Sequence, residues 1–475
     1  MAELSDSSSR MDGPLALDPS GSPTRRRRSG GSGRSGSGSG SSGSARGSRS
    51  SRSGEDAGAL DPVTTTQQNI VFGVFAVLMI CLTVFQKIGY VPSKAFIIPI
   101  ILPVAYVALG VGVLFARPVF RPERAILYLA LVTLSTLSNV LFAPKYSLGS
   151  MALYYALYLP FLVAFDTTRA TYRRCLDFFC TVMLVFAGIV WAQHAIQISI
   201  GWQYWPNLDK LLPPSLLIPE FNYIQPIEWG LNLMKPSGIA FLEVSILSQF
   251  ITFALIIELL YFQRVQRAVF FGATLLATFA GTGLVLLLVS LPIIFSRMNT
   301  RVFAIMLATA FFALFVALEL HWFDLVAHRF GEFQETGSSA NSRFIAPLDR
   351  IRIALIDPHG VYGGAGAGQI EAGGNTFWWP IAKTTVEYGL LEGIFFYVFY
   401  LTCLFDKAPS KQLAFVIAIW FSFEGTLLTA LNPITCVMLS TMFVVRDEKR
   451  VRRRRSSSES GSVSGLAEPG PAVAV

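Results

Sequence analysis

The chain has 475 residues, of which 52% are hydrophobic and 14% charged, with a mean hydropathy of +0.52. A soluble domain of this length carries more charge, and the apolar residues come in long blocks, so the composition argues against a soluble enzyme and for an all-α, polytopic membrane protein. The formal net charge of +8 is concentrated in residues 25–28 and 452–455. On a membrane protein such basic termini act as a topology signal in contact with anionic lipid, and no nucleic-acid partner is expected.

Residues 1–68 are rich in Ser, Gly and Arg, as in "RRRRSGGSGRSGSGSGSSGSARGSRSSRSG". A segment of this kind buries too little apolar surface to fold, so it is expected to be a disordered tail, as is 446–475. Residues 69–445 form the expected membrane domain. Its first apolar run begins near Ile70, behind a polar leader, and is expected to serve as an uncleaved anchor.

About twelve transmembrane helices are expected. The first five start near Ile70, Ala95, Arg124, Gly149 and Leu176, and a long loop follows over about 201–237. The sixth starts at about Gly238. The seventh and eighth form a tight pair around "GTG", and the ninth starts near Arg301. A second long loop covers about 319–383, and the last three spans start near Thr384, Lys411 and Asn432.

Charge tests that count. With both ends inside, the inner loops read "ARPVFRPER", "DTTRATYRR", "FQRVQR", "SRMNTR" and "FDKAPSK", and each is basic. The short outer links "PKYSLGS" and "LNP" are nearly free of cations. This bias predicts cytoplasmic termini and puts both long loops on the outer side of the membrane. Loops of that size on a rigid scaffold are where function is expected.

The five cysteines, Cys81, Cys175, Cys180, Cys403 and Cys436, fall within or beside apolar runs and read as small apolar residues. No His, Asp or Glu cluster has metal spacing, so neither a metal nor a cofactor is expected.

The larger loop contains "NSRFIAPLDRIRIALIDPHGVYGGAGAGQ", with Arg343, Arg350, Arg352 and His359. Residues 341–356 suit a short helix interrupted at Pro347, and Arg343 and Arg350 would share a face. The arginines either pair with Asp349 and Asp357, lie at lipid headgroups, or hold a ligand. A guanidinium grips phosphate in a bidentate manner and keeps its charge, which suits a pyrophosphate. The glycines of "GVYGGAGAGQIEAGG" make either a flexible loop or turns that approach a ligand closely. In "NTFWWPIAKTTVEYGLLEG", Trp378 and Trp379 suit a membrane interface or a sugar face.

The first long loop ends in "LMKPSGIAFLEVSILSQF". Lys235 precedes the sixth span. Glu243 is expected inside it, roughly 12 Å deeper at helical rise. A carboxylate there needs a partner or a task. His194, near the outer end of the fifth span, reads as a hydrogen-bonded structural residue.

Taken in order, these motifs resemble the O-antigen polymerase/O-antigen ligase superfamily of bacterial inner membranes. The likeness spans about 70–445 and is closest over 235–393. The family's Arg-X-X-Gly-X-X-X-Glu-Pro entry into a span is matched by "KPSGIAFLEVS", with Lys235 for the arginine and Val244 for the proline. Its outer Ser-X-Arg or Ser-Arg element is matched by "SSANSRF", with Arg343, and its Gly-X-Gly turn by "GGAGAG". Its His-Asn motif before a Glu-Tyr-Gly-Leu span is matched by Asn375, Glu387, Tyr388 and Gly389. Gly374 stands where ligases carry a catalytic histidine, which favours a polymerase, and no arginine follows "GTG".

The resemblance implies a metal-independent glycosyltransferase that polymerises undecaprenyl-pyrophosphate-linked oligosaccharide repeats into exopolysaccharide or O-antigen. An O-antigen ligase and a flippase of lipid-linked oligosaccharide are the alternatives. In this reading Arg343, with Lys235, Arg350 or Arg352, holds the pyrophosphate. Glu243, Glu371 and His359 are candidates for the base, and Asn375, Glu387 and Tyr388 line the substrate site. The implied partners are the lipid-linked oligosaccharide, membrane lipid, a chain-length regulator and a flippase.

Overall fold

The computed structural model describes residues 63–93, 96–218, 221, 224–227, 232–296, 304, 308, 311, 341–356, 358–370 and 377–445. The two expected tails fall almost wholly outside them. The chain opens on α1 (Thr65–Val84), whose N-terminus is fixed by a capping box between Thr64 and Gln67. It therefore starts ahead of the apolar run itself. A short antiparallel hairpin follows, β1 (Gly89–Ser93) and β2 (Phe96–Pro99). Next come α2 (Ile101–Phe115), α3 (Pro122–Phe142) and α4 (Leu148–Tyr158). Strand β3 (Phe165–Thr167) leads into α5 (Arg169–Ser199), capped by Thr168, and a one-turn α6 (Leu208–Leu211) follows it.

Helix α7 (Val244–Ile257) continues as a π-helical turn over Glu258–Phe262. It is buried on nearly every side, which makes it the centre of the bundle. Helices α8 (Val265–Ala277) and α9 (Gly281–Phe295) form the expected pair, but the chain reverses at 278–280, and "GTG" opens α9. A Cβ on Gly283 would lie 2.6 Å from the Ser248 carbonyl oxygen, so only glycine lets α9 approach α7 this closely.

The remaining helices are α10 (Ala346–Ile356), α11 (Pro358–Tyr362), α12 (Pro380–Tyr388), α13 (Leu390–Phe405), α14 (Lys411–Glu424) and α15 (Leu431–Cys436). The last runs into a π turn over Val437–Thr441 and then β4 (Phe443–Val445), which pairs in parallel with β3. The fold is thus mostly helical, with two small two-stranded sheets that the all-α expectation lacked.

Among the described residues, four helical stretches are long and apolar enough to cross a membrane: Thr65–Val84, Pro122–Phe142, Arg169–Ser199 and Val244–Phe262. A bilayer core of ~30 Å needs about 20 helical residues. The other apolar helices have 10–17 residues, because turns and breaks divide what hydropathy joins. One break is at Gly389, whose φ of 95° and ψ of 164° suit only glycine. It splits the expected tenth span into α12 and α13.

Ion pairs and a cation–π contact gather four of the five predicted inner loops at one end. Arg117 reaches Asp166 at 3.9 Å, and Arg173 lies over the Phe262 ring at 5.1 Å. Arg121 and Arg124 both meet Asp406, at 3.7 and 3.2 Å. Arg124 is fully buried and also donates to the Phe161, Thr441 and Asp406 carbonyls. The glycine-rich segment lies at the far end of α3, where Ala367 N donates to Asn139 Oδ1 at 2.8 Å. The 21 residues of α3 separate these ends by roughly 30 Å.

Candidate functional site

The site lies at the end of the bundle away from the basic loops. The entry to α7 is not helical. Gly238 and Ile239 both adopt positive φ, 70° and 67°, a region that strains a β-branched residue. Three glutamine side chains hold this irregular backbone. Met234 N donates to Gln197 Oε1 at 2.8 Å, Gly238 N to Gln193 Oε1 at 2.9 Å, and Leu242 N to Gln86 Oε1 at 3.3 Å. Non-helical backbone buried in a membrane protein needs such donors and acceptors.

This segment corrects the expectation for Glu243. The helix begins at Val244, so Glu243 stands at its N-cap and not a turn or more inside it. It is half-buried, and Ser245 Oγ donates to its Oε2 at 2.9 Å. Lys235 is also half-buried, in the strand-like stretch where Lys235 N donates to Gln225 O at 2.8 Å. The two therefore do not share a helix.

Arg343 lies in a π-helical turn over Asn341–Ile345. Pro347 follows in the first turn of α10, where a missing N–H is harmless, so it does not interrupt the helix as expected. The altered winding also removes the premise that Arg343 and Arg350 lie two α-turns apart on one face. Arg343 is half-buried with its guanidinium 4.9 Å from the Phe377 ring centroid, a cation–π contact. Arg350 and Arg352 are exposed along α10.

Sequence reasoning missed a buried carboxyl group at this end of the bundle. Glu424, the last residue of α14, interacts electrostatically with the Arg343 guanidinium. Its Oε2 accepts from Gln249 Nε2 at 2.9 Å, and Gln249 Oε1 accepts from Trp420 Nε1 at 2.8 Å. Its Oε1 is buried with no hydrogen-bond donor among the described residues. The one signal in the sequence was a lone carboxylate at the end of the apolar run "FVIAIWFSFEG". Its partner Gln249 is 175 residues away.

Next to Glu424, Phe423 meets Trp379 edge-on at 5.8 Å, and Trp379 is buried, so its ring is not open to a sugar. Glu387 is fully buried on α12, with Lys383 Nζ 3.8 Å from its Oε1. Tyr388 is also fully buried, its ring 5.1 Å from Tyr154, and its carbonyl accepts from Ser138 Oγ. Neither Glu387 nor Tyr388 presents a surface to a substrate here. Both belong to the packing beneath the site.

Over residues 360–370 the glycine-rich segment packs against the chain's own backbone. Gly364, Gly366 and Gly368 have φ of 63°, 95° and 70°. Ala365 N and Gly366 N donate to the Val386 and Glu387 carbonyls at 2.8 and 2.9 Å. A Cβ on Gly366 would meet the Lys145 carbonyl oxygen. The glycines serve close approach to the chain's own backbone.

Glu371 and Asn375 lie outside the described residues. So do His321, His328, Arg329 and Gly374. His359 has its backbone in α11, and its side chain falls outside the description as well. His194 Nε2 donates a 2.8 Å hydrogen bond to the Ala277 carbonyl and so closes the end of α8, a structural role. All five cysteines are buried and free.

The first long loop docks beside the site through Lys87, which is buried just past α1 and reaches Asp209 Oδ1 at 3.0 Å. Burial lowers the Lys87 ammonium from its ordinary 10.5, and the hydrogen bond and charge of Asp209 offset part of that. Trp205 in the same loop donates to the Gln193 carbonyl at 2.8 Å. No protein-family model matches the chain, and no curated protein matches it.

Proposed function

We propose that this chain is a twelve-span inner-membrane glycosyltransferase with cytoplasmic termini, which polymerises lipid-pyrophosphate-linked oligosaccharide repeats on the periplasmic face. The observation that carries the reading is Arg343, whose guanidinium lies 4.9 Å from the Phe377 ring centroid at the end of the bundle opposite the basic loops. A guanidinium kept on the poorly charged side of a membrane protein runs against the usual distribution of cations, so it needs a task.

The task in this reading is to stabilise a leaving group. The acceptor sugar's hydroxyl oxygen attacks the anomeric carbon of the donor. The bond from that carbon to the pyrophosphate oxygen breaks, and its electron pair leaves with the lipid diphosphate. Arg343 meets the charge that develops there. The hydroxyl proton passes to a carboxylate, and Glu243, half-buried at the mouth of α7, is the described candidate. Glu424 acts through Arg343 as a positioning residue. Lys235 and the exposed Arg350 and Arg352 supply further positive charge to the lipid diphosphate.

The test is purified protein incubated with a lipid-linked repeat unit, the products resolved as a ladder on a gel. Arg343→Ala is expected to reduce chain growth about 100-fold, the scale for removing one transition-state donor, with the thermal midpoint kept. A normal ladder from that variant removes Arg343 from the chemistry. In cells lacking the protein, single lipid-linked repeats are expected on the outer leaflet. Full-length lipid-linked chains that fail to transfer would instead assign a ligase, and repeats held in the inner leaflet a flippase.

A further inference from the structure

At the basic end of the bundle a cleft of ≈ 540 Å³ opens between the start of α5, the π turn after α7, the α13–α14 link and β4. Arg169 and Arg173 line it from one side and Lys411 from the other, with Ser410 beside Lys411 and Tyr261 and Val445 among the other lining residues. All three cations are exposed. No carboxylate lines the cleft among the described residues.

That absence stands out on this face. The neighbouring acids are taken by other cations: Glu258 by Arg264 at 2.6 Å, Asp177 by Arg264 at 2.6 Å, and Asp406 by Arg124 at 3.2 Å. Arg169 and Arg173 share the first turns of α5, and Lys411, from a segment distant in sequence, joins them only in the fold. Arg173 is steadied at the rim by its contact with Phe262. Two helices, α5 with 31 residues and α14 with 14, also begin at this rim, adding the positive ends of their dipoles. The floor is apolar, with Leu260, Ala408 and Val445.

We propose that this cleft binds a phosphate group, with an anionic phospholipid headgroup as its source. Basic pockets between membrane helices on the cytoplasmic side hold such headgroups, and the apolar floor suits the start of an acyl chain. The proposal is independent of any sugar chemistry at the opposite end.

The experiment uses the full chain in a neutral detergent, titrated with short-chain phosphatidylglycerol, phosphatidylcholine or inorganic phosphate, with bound ligand read by native mass spectrometry. Phosphatidylglycerol is expected to bind, and phosphatidylcholine to bind much more weakly. Each cation replaced by Gln should weaken phosphatidylglycerol about fivefold, and the triple variant Arg169→Gln, Arg173→Gln, Lys411→Gln roughly 150-fold. All three residues are exposed, so the thermal midpoint should hold; if the triple variant fails to fold, Arg173→Gln alone carries the test. Competition by inorganic phosphate supports recognition of the phosphate itself. Phosphate binding without any binding of phosphatidylglycerol overturns the lipid source. Equal binding of the two lipids, or full binding by the triple variant, overturns the site.

Discussion

Gln249 is the joint between the buried centre of the bundle and the Glu424 carboxyl, and replacing it tests that joint directly. Its carbonyl oxygen accepts from Trp420 Nε1 at 2.8 Å and its amide donates to Glu424 Oε2 at 2.9 Å. Because an indole nitrogen only donates, the amide orientation is fixed by chemistry. Gln249→Leu keeps the volume and removes both bonds. It orphans a donor on Trp420, which is fully buried, at about 1–3 kcal/mol, and strips the Glu424 carboxyl of a bond worth up to about 3 kcal/mol. Side chains in a membrane find substitute partners when the protein unfolds, so the expected loss is nearer 2–4 kcal/mol in total. Equilibrium unfolding of the full chain in mixed micelles measures it. Trp420→Phe in the Gln249→Leu background removes the orphaned donor and should recover about 1 kcal/mol or more of the penalty. Two results would refute the reasoning: a Gln249→Leu variant within about 0.5 kcal/mol of the parent, or strict additivity in the double variant.

Two further predictions concern positions that hold the site in place. Gly389→Ala forces a side chain into a glycine-only conformation and brings its Cβ to 2.8 Å from the Val361 and Tyr362 carbonyl oxygens. It should destabilise by about 3 kcal/mol and lower the thermal midpoint, and an unchanged midpoint would deny the break its structural role. Burial holds the Lys87 ammonium below its ordinary 10.5. The unfolded chain therefore binds more protons between the folded value and 10.5, and stability should rise with pH through that window. Lys87→Met should flatten that rise. Asp209→Asn should lower stability by about 1 kcal/mol, less than for a fully buried pair because Asp209 is 40% exposed. A midpoint that falls as pH approaches 10.5, in the parent but not in Lys87→Met, would reverse the argument.

Local chemistry made much of this legible in the sequence. Long apolar blocks announced the helices, but their starts are set by short polar side chains that hydropathy does not weigh: Thr64, Ser147, Thr168 and Ser410 each cap a helix by accepting from a backbone N–H three residues on. The basic links were visible as charge runs, and four of them meet at one end. Arg343 stood out in the same way, as a cation in a stretch otherwise expected on the outer side.

What the tertiary structure alone decided is where those blocks stop being helix and what the buried polar groups meet. Hydropathy sums over a window and is blind to backbone conformation, so it joined α12 to α13 across Gly389 and carried the sixth span back to Gly238, where Gln86, Gln193 and Gln197 instead hold a non-helical entry. That entry moved Glu243 from the helix interior to its mouth. The same limit applies to Glu424: a carboxylate in an apolar run needs a partner, but no local pattern says that it comes from Gln249 on another helix. Burial of a polar group is settled by contacts distant in sequence, and those exist only once the helices have packed.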